Sequence, residues 1–122
     1  MQPPLVLVVE DDFLVREMIV NDLRLSGFEV SEAASAEDAL ARNLDRLDLL
    51  FTDIRLPGMN GWRLAEVIRL RHPDVPVLYA SGYAERVAPL SGSIYLQKPY
   101  LPSQVLHAAA ELGIKPPAIS TS

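Results

Sequence analysis

The chain has 122 residues, 49% of them hydrophobic and 22% charged, which is enough for one buried core and too little for two domains. Eleven Lys and Arg stand against sixteen Asp and Glu, and the net charge of -5 opposes non-specific binding to nucleic acid or an anionic membrane while suiting a basic partner patch or a bound cation. There is no cysteine for a disulfide or thiolate site, and no apolar run long enough to span a bilayer. The opening MQPPLVLVVEDD lacks the basic and apolar segments of a secretory signal, so a cytoplasmic protein is expected.

Short β-branched runs alternate with longer segments of helical periodicity. Residues 5–9 (LVLVV) read as a buried strand, followed by a helix over 12–25 with Leu14, Val15, Met18, Ile19 and Leu23 on one face and Gly27 as its stop. A weaker strand follows over 28–33. Ser35 opens SAED, a capping-box-like start for a helix to about residue 44. LDLLFT, 47–52, is a third strand, and Asn60 caps a helix to Arg71 with Leu64, Ala65, Ile68 and Val67 inward, ended by His72-Pro73. Residues 75–80 give a fourth strand. The stretch 83–88 has room for one or two helical turns before Pro89 and Gly92, 93–97 is a fifth strand, and 102–112 a last helix closed by Gly113 and Pro116-Pro117. Apolar runs without alternation mark strands covered on both faces, hence a doubly wound α/β sandwich around a parallel sheet. One domain is expected, with its core at about 4–112 and a frayed tail over 115–122.

Ligands of open parallel sheets sit beyond the carboxyl ends of the strands, and right-handed crossovers bring those ends to one edge. The first strand ends on Glu10, Asp11 and Asp12, the third on Asp53, the fourth on Ser81 and the fifth on Lys98. If the first and third strands are neighbours, carboxylates converge there with a hydroxyl and an ammonium beside them. Asp12 precedes a helix and is explained by N-capping, worth about 1 kcal/mol. That role fails for Asp53, because its helix starts only after Pro57, Gly58 and Gly61. Ser81 alone would be a turn hydroxyl and Lys98 alone a solvated lysine; their joint placement carries the argument.

Clustered carboxylates repel unless one is protonated or a cation sits among them. Oxygen ligands without Cys or His point to Mg²⁺ or Mn²⁺ rather than zinc. Such an ion takes one or two carboxylates plus a phosphate, Lys98 supplies a phosphate-binding charge, and Ser81 can donate to a phosphate oxygen. The Asp53 carboxylate is then the nucleophile without a competing structural duty.

VVEDD after the first strand, TDIRLPGMNG around Asp53, ASGY after the fourth strand and YLQKPY around Lys98 together resemble the receiver domain of bacterial two-component response regulators, over roughly residues 4 to 112. The resemblance implies a flavodoxin-like (βα)5 fold with sheet order 2-1-3-4-5. It further implies that Asp53 accepts a phosphoryl group from a phosphohistidine on a sensor histidine kinase or phosphotransfer protein. Asp11, Asp53 and the Arg55 backbone carbonyl would ligate Mg²⁺, with Glu10 acting through a water. Lys98 would bridge to the phosphate, and Ser81 would act as a switch coupled to rotation of Tyr95. The Lys98-Pro99 bond would be cis.

This chain departs from the family in having fewer positions between Ser81 and Lys98 than is usual, so the helix expected there is shortened or irregular, as in a stand-alone subgroup that ASGY resembles. Tyr83 and Arg55, each two residues after a site residue, are expected to flank the phosphate and tune its lifetime. The expected function is a non-enzymatic, phosphorylation-controlled switch, read out by docking to an unknown downstream protein without nucleic acid or membrane. A receiver cut from a hybrid sensor kinase, a phosphate sink and a phosphorylation-independent degenerate receiver are the alternatives. A haloacid-dehalogenase-type phosphatase wants a second acid where Arg55 stands, and a flavin phosphate would be repelled by Glu10, Asp11 and Asp12.

Overall fold

A computed structural model describes residues 2–82 and 91–117. The elements run β1 (Leu5–Val9), α1 (Phe13–Leu25), β2 (Glu29–Ala33), α2 (Ala36–Ala41), β3 (Leu49–Asp53), α3 (Gly61–Arg71), β4 (Val77–Ser81), β5 (Ser93–Gln97) and α4 (Pro102–Glu111). All strand pairs are parallel and the sheet order is β2-β1-β3-β4-β5, as expected. The short helix expected over 83–88 lies outside the described residues, as does the tail from 118.

Because successive strand residues point to opposite faces, each apolar strand feeds two cores. Leu7, Val9, Leu50, Val77 and Tyr79 pack with α2 and α3 through Ala36, Ala39, Leu64, Ala65 and Ile68. Val6, Val8, Leu49, Phe51, Leu78 and Ala80 pack on the other side with α1 and α4 through Ile19, Val20, Leu23, Val105, Ala108 and Ala109. β1, β3 and β4 are thereby covered on both faces, whereas the edge strand β5 is only half-buried. No helix among the described residues is long and apolar enough to cross a membrane.

The buried face of α1 differs from the expected one. Ile19, Val20 and Leu23 are buried, while Leu14 is 76% and Met18 53% exposed. The helix is rolled so that Arg16 faces inward, its side chain only 13% exposed and paired with Glu32 of β2. Phe28, expected in a strand, instead completes the stop of α1: Gly27 takes a φ of 99° and the Phe28 N–H bonds the Leu23 carbonyl. Gly113 and Ile114 close α4 in the same way. α2 ends early because Arg42 turns to extended backbone. β4 begins later than expected because Pro76 has no N–H to give the ladder, although its carbonyl still accepts from Leu50.

Candidate functional site

The register aligns the strand ends. Val9 lies opposite Thr52, Asp53 opposite Ala80, and Ser81 opposite Gln97. Glu10 and Asp11 thus emerge one step beyond β1 next to the last residue of β3, and Lys98 follows β5. The Lys98 N–H donates to the Ser81 carbonyl at 2.7 Å, which extends the ladder by one residue to the lysine. The Lys98-Pro99 peptide is cis.

Four of the expected site residues come together. Carboxylate oxygens of Glu10, Asp11 and Asp53 lie within 4.8 Å of one another. Lys98 Nζ reaches two of these acids, donating to Glu10 Oε1 at 2.6 Å and Asp53 Oδ2 at 3.0 Å. The other oxygens of those acids are held by main chain: Glu10 Oε2 accepts from the Asp12 N–H at 3.2 Å, and Asp53 Oδ1 from the Arg55 N–H at 3.3 Å. Glu10 and Asp53 are buried and Asp11 is exposed, so the cluster opens to solvent on the Asp11 side. Asp12 stands apart from it, with Oδ1 accepting from the Val15 N–H at 3.1 Å as the N-cap of α1.

Burial dominates the electrostatics. It pushes the Glu10 carboxyl up to about 7, against the lowering effect of the Lys98 hydrogen bond and with the Asp53 charge adding to the rise. Burial alone would push Lys98 down, but its hydrogen bonds to Glu10 and Asp53 and their charges outweigh it, leaving the ammonium more firmly protonated than usual. Lys98 therefore carries the lasting charge of the pair, and Glu10 is the group that changes near neutrality.

A hard divalent cation fits this donor set: three carboxylates, no competing nitrogen or sulfur ligand, and a lysine already neutralising two of the acids. The loop after Asp53 is closed tightly against the end of β3. A Cβ on Gly61 would come within 2.2 Å of the Asp53 carbonyl oxygen, so only glycine lets the start of α3 approach the end of β3. The Gly61 N–H closes the loop on the Ile54 carbonyl at 2.8 Å, and Glu37 of α2 accepts from the Met59 N–H at 3.2 Å.

Ser81 is fully buried at the end of β4. Tyr95 is half-buried on β5 opposite Tyr79, whose ring lies 4.3 Å from that of Trp62. Arg55 is exposed, and Tyr83 lies outside the described residues. Two contributions had no motif to announce them. Gly61 reads in sequence as one more turn glycine, and Arg16, whose Nη1 donates to the Glu10 carbonyl at 2.8 Å, reads as a helix-surface cation. The trace that Arg16 leaves is its spacing, three and four residues before the buried Ile19 and Val20.

Residues 6–110 match the family model for the response regulator receiver domain. Among characterised proteins, the chain is 38% identical over 103 residues to the response regulator protein FleR of Pseudomonas aeruginosa, covering 78% of this chain and 21% of FleR. It is 35% identical over 125 residues to the transcriptional regulatory protein PrrA of Mycobacterium leprae, covering 98% of this chain and 54% of PrrA. The chain thus spans about half of PrrA and a fifth of FleR. Among solved structures, the receiver domain from hybrid histidine kinase CckA superposes with a TM-score of 0.79 at 32% identity, covering 88% of this chain and 97% of that one. The response regulator protein TrrA of Thermotoga maritima, in complex with Mg²⁺ and BeF, gives 0.78 at 26% identity, covering 89% and 98%. The chain belongs to the response regulator receiver domain family, the phospho-accepting signalling switch of two-component systems.

Proposed function

We propose that Asp53 is the phospho-acceptor of this switch and that a histidine kinase or phosphotransfer protein supplies the phosphoryl group. The observation that carries the assignment is the orientation of the Asp53 carboxylate, with Oδ2 on Lys98 Nζ and Oδ1 on the Arg55 N–H, at the solvent-open end of a buried strand. An Asp53 oxygen attacks phosphorus in line as the N–P bond of the donor phosphohistidine breaks, and the imidazole takes the departing electron pair. Lys98, held between Glu10 and Asp53, is placed to follow the charge onto the phosphoryl oxygens.

Asp11, Asp53 and the Arg55 carbonyl would hold Mg²⁺ directly, and Glu10 through a water. When bound, the ion neutralises charge on the transferring group. The binding of Mg²⁺ in the TrrA complex supports this choice; Mn²⁺, with the same preference for oxygen ligands, would substitute. Ser81 would donate to a phosphoryl oxygen, and its movement would turn Tyr95 on the adjacent strand. The output would then be altered docking to a downstream protein in the cytoplasm, without enzymatic turnover of another substrate. The likeness to the CckA receiver supports a second reading, in which the same chemistry serves a hybrid kinase.

Incubation with Mg²⁺ and acetyl phosphate, followed by intact mass, tests the assignment. One added phosphoryl group on the wild type and none on Asp53→Asn is expected; undiminished addition to the variant overturns it.

A further inference from the structure

We infer that Arg16 is a positioning residue for the acid cluster: from α1 it grips the main-chain carbonyl of Glu10 and so fixes the turn that presents Glu10 and Asp11 to a cation. This rests on the proposed reading of Glu10, Asp11 and Asp53 as the cation site. Arg16 Nη1 donates to the Glu10 carbonyl at 2.8 Å, and Nε donates to Glu32 Oε1 at 3.2 Å. Its guanidinium carbon lies 5.5 Å from the centroid of the Phe13 ring. Three parts of the fold, α1, β2 and the β1–α1 turn, therefore meet on one side chain.

The main chain of Glu10 is tied at both ends. Its N–H donates to the Ala33 carbonyl of β2 at 3.1 Å, and its carbonyl accepts from Arg16. Since the peptide is planar, holding both the Glu10 N–H and its carbonyl fixes the backbone on either side of the Glu10 Cα and the plane from which Asp11 departs. An arginine suits the task because different nitrogens of its rigid fork serve the carbonyl and the Glu32 carboxylate together, whereas an ammonium presents one point charge. If the guanidinium served only as a partner for Glu32, its second bond would have no reason to fall on the carbonyl between two acids of the cluster. Arg16 bonds the Glu10 carbonyl and Glu32 and no carboxylate oxygen of the cluster, so its effect passes through the main chain to Glu10 and Asp11.

Groups that orient metal ligands typically change affinity by roughly 10- to 100-fold when lost, and a residue acting through the main chain belongs at the lower end of that range. The test uses the whole chain with Mn²⁺ alone as probe, free Mn²⁺ being counted from its electron paramagnetic resonance signal, alongside circular dichroism and thermal melting. Arg16→Met is expected to weaken Mn²⁺ binding about tenfold while the folded spectrum is kept. Arg16→Lys, whose single nitrogen replaces the two that meet the separate acceptors, is expected to weaken it roughly threefold. A folded Arg16→Met that binds Mn²⁺ within twofold of wild type overturns the inference, even if its melting temperature falls, since that is the pattern of a purely structural arginine. Should Arg16→Met not fold, Arg16→Lys decides, and wild-type affinity in it overturns the inference. Asp11→Asn separates the two levels: its binding as tightly as wild type defeats the cation-site reading itself, while loss in Asp11→Asn with none in the deciding arginine variant defeats only the role of Arg16.

Discussion

Asp53 and Lys98, 45 positions apart in the chain, meet at the carboxyl edge of the sheet with the ammonium nitrogen 3.0 Å from Oδ2. The same nitrogen lies 2.6 Å from Glu10, so one lysine compensates two buried acids. Its position is set by β5, whose ladder with β4 runs on through the Lys98 N–H to the Ser81 carbonyl.

Removing that charge should harm both the reaction and the fold. Lys98→Met leaves Glu10 and Asp53 facing each other in a poorly hydrated site, and a loss of about 1–3 kcal/mol in stability without Mg²⁺ is expected. Phosphorylation by acetyl phosphate at saturating Mg²⁺ should slow about a hundredfold, because a fixed cation aimed at the developing charge is lost. Urea denaturation and the rate of mass gain measure the two effects; an unchanged rate would mean that Lys98 takes no part in the transfer.

Cation binding at the proposed site should depend on pH through Glu10. Its carboxyl, pushed up to about 7 chiefly by burial, is protonated below neutrality and must lose that proton to serve a cation. Mg²⁺ affinity should therefore fall as pH drops from 8 to 6, and Glu10→Gln should flatten the profile. The metal-free fold responds in the opposite sense. A folded value above the unfolded 4.5 means that the native state holds more protons, so stability from this group is fully present below 4.5 and is lost as pH rises through about 7. Melting curves in a chelator and in excess Mg²⁺ across this range should diverge most at the alkaline end.

Gly61→Ala tests the close approach of α3 to β3. Alanine is the better helix former, yet its Cβ would lie 2.2 Å from the Asp53 carbonyl oxygen, which belongs to backbone and cannot swing aside. A net loss of about 1–3 kcal/mol is expected, together with weaker phosphorylation because Asp53 itself must shift. A variant as stable and as reactive as wild type would show that the loop gives way freely.

Much of this architecture was legible because strand ends and sequence motifs coincide. The runs ending at Glu10, Asp53 and Ser81 are largely apolar, as strands covered on both faces are, and the parallel sheet then brings their ends together with Lys98 after the half-buried β5. What stayed hidden depends on contacts across elements. Helical spacing could not show which of two apolar stripes α1 buries, because inward-facing Arg16 is compensated by Glu32 and the Glu10 carbonyl, both outside the helix. The late start of β4 follows from the missing N–H of Pro76, and the need for glycine at 61 from a carbonyl eight residues earlier.

Three acids in a row pose a question of register that two substitutions answer. Asp12→Ala should remove the cap on the Val15 N–H and destabilise the protein by about 1 kcal/mol, with Mg²⁺ affinity and phosphorylation close to wild type. Asp11→Ala should do the reverse, sparing stability and abolishing the Mg²⁺ response. Exchange of the two patterns would move the cation site by one residue.

In the proposed switch a single carboxylate carries the phosphoryl group. After brief reaction with acetyl phosphate and Mg²⁺, borohydride reduction converts an acyl phosphate to an alcohol that survives proteolysis, and peptide mass spectrometry then locates it. Reduced product is expected at Asp53 alone, with Glu10 and Asp11 unmodified; reduced product at either of those acids, or a phosphoryl group kept on a hydroxyl or imidazole elsewhere with no reduction at Asp53, would show that another group carries it.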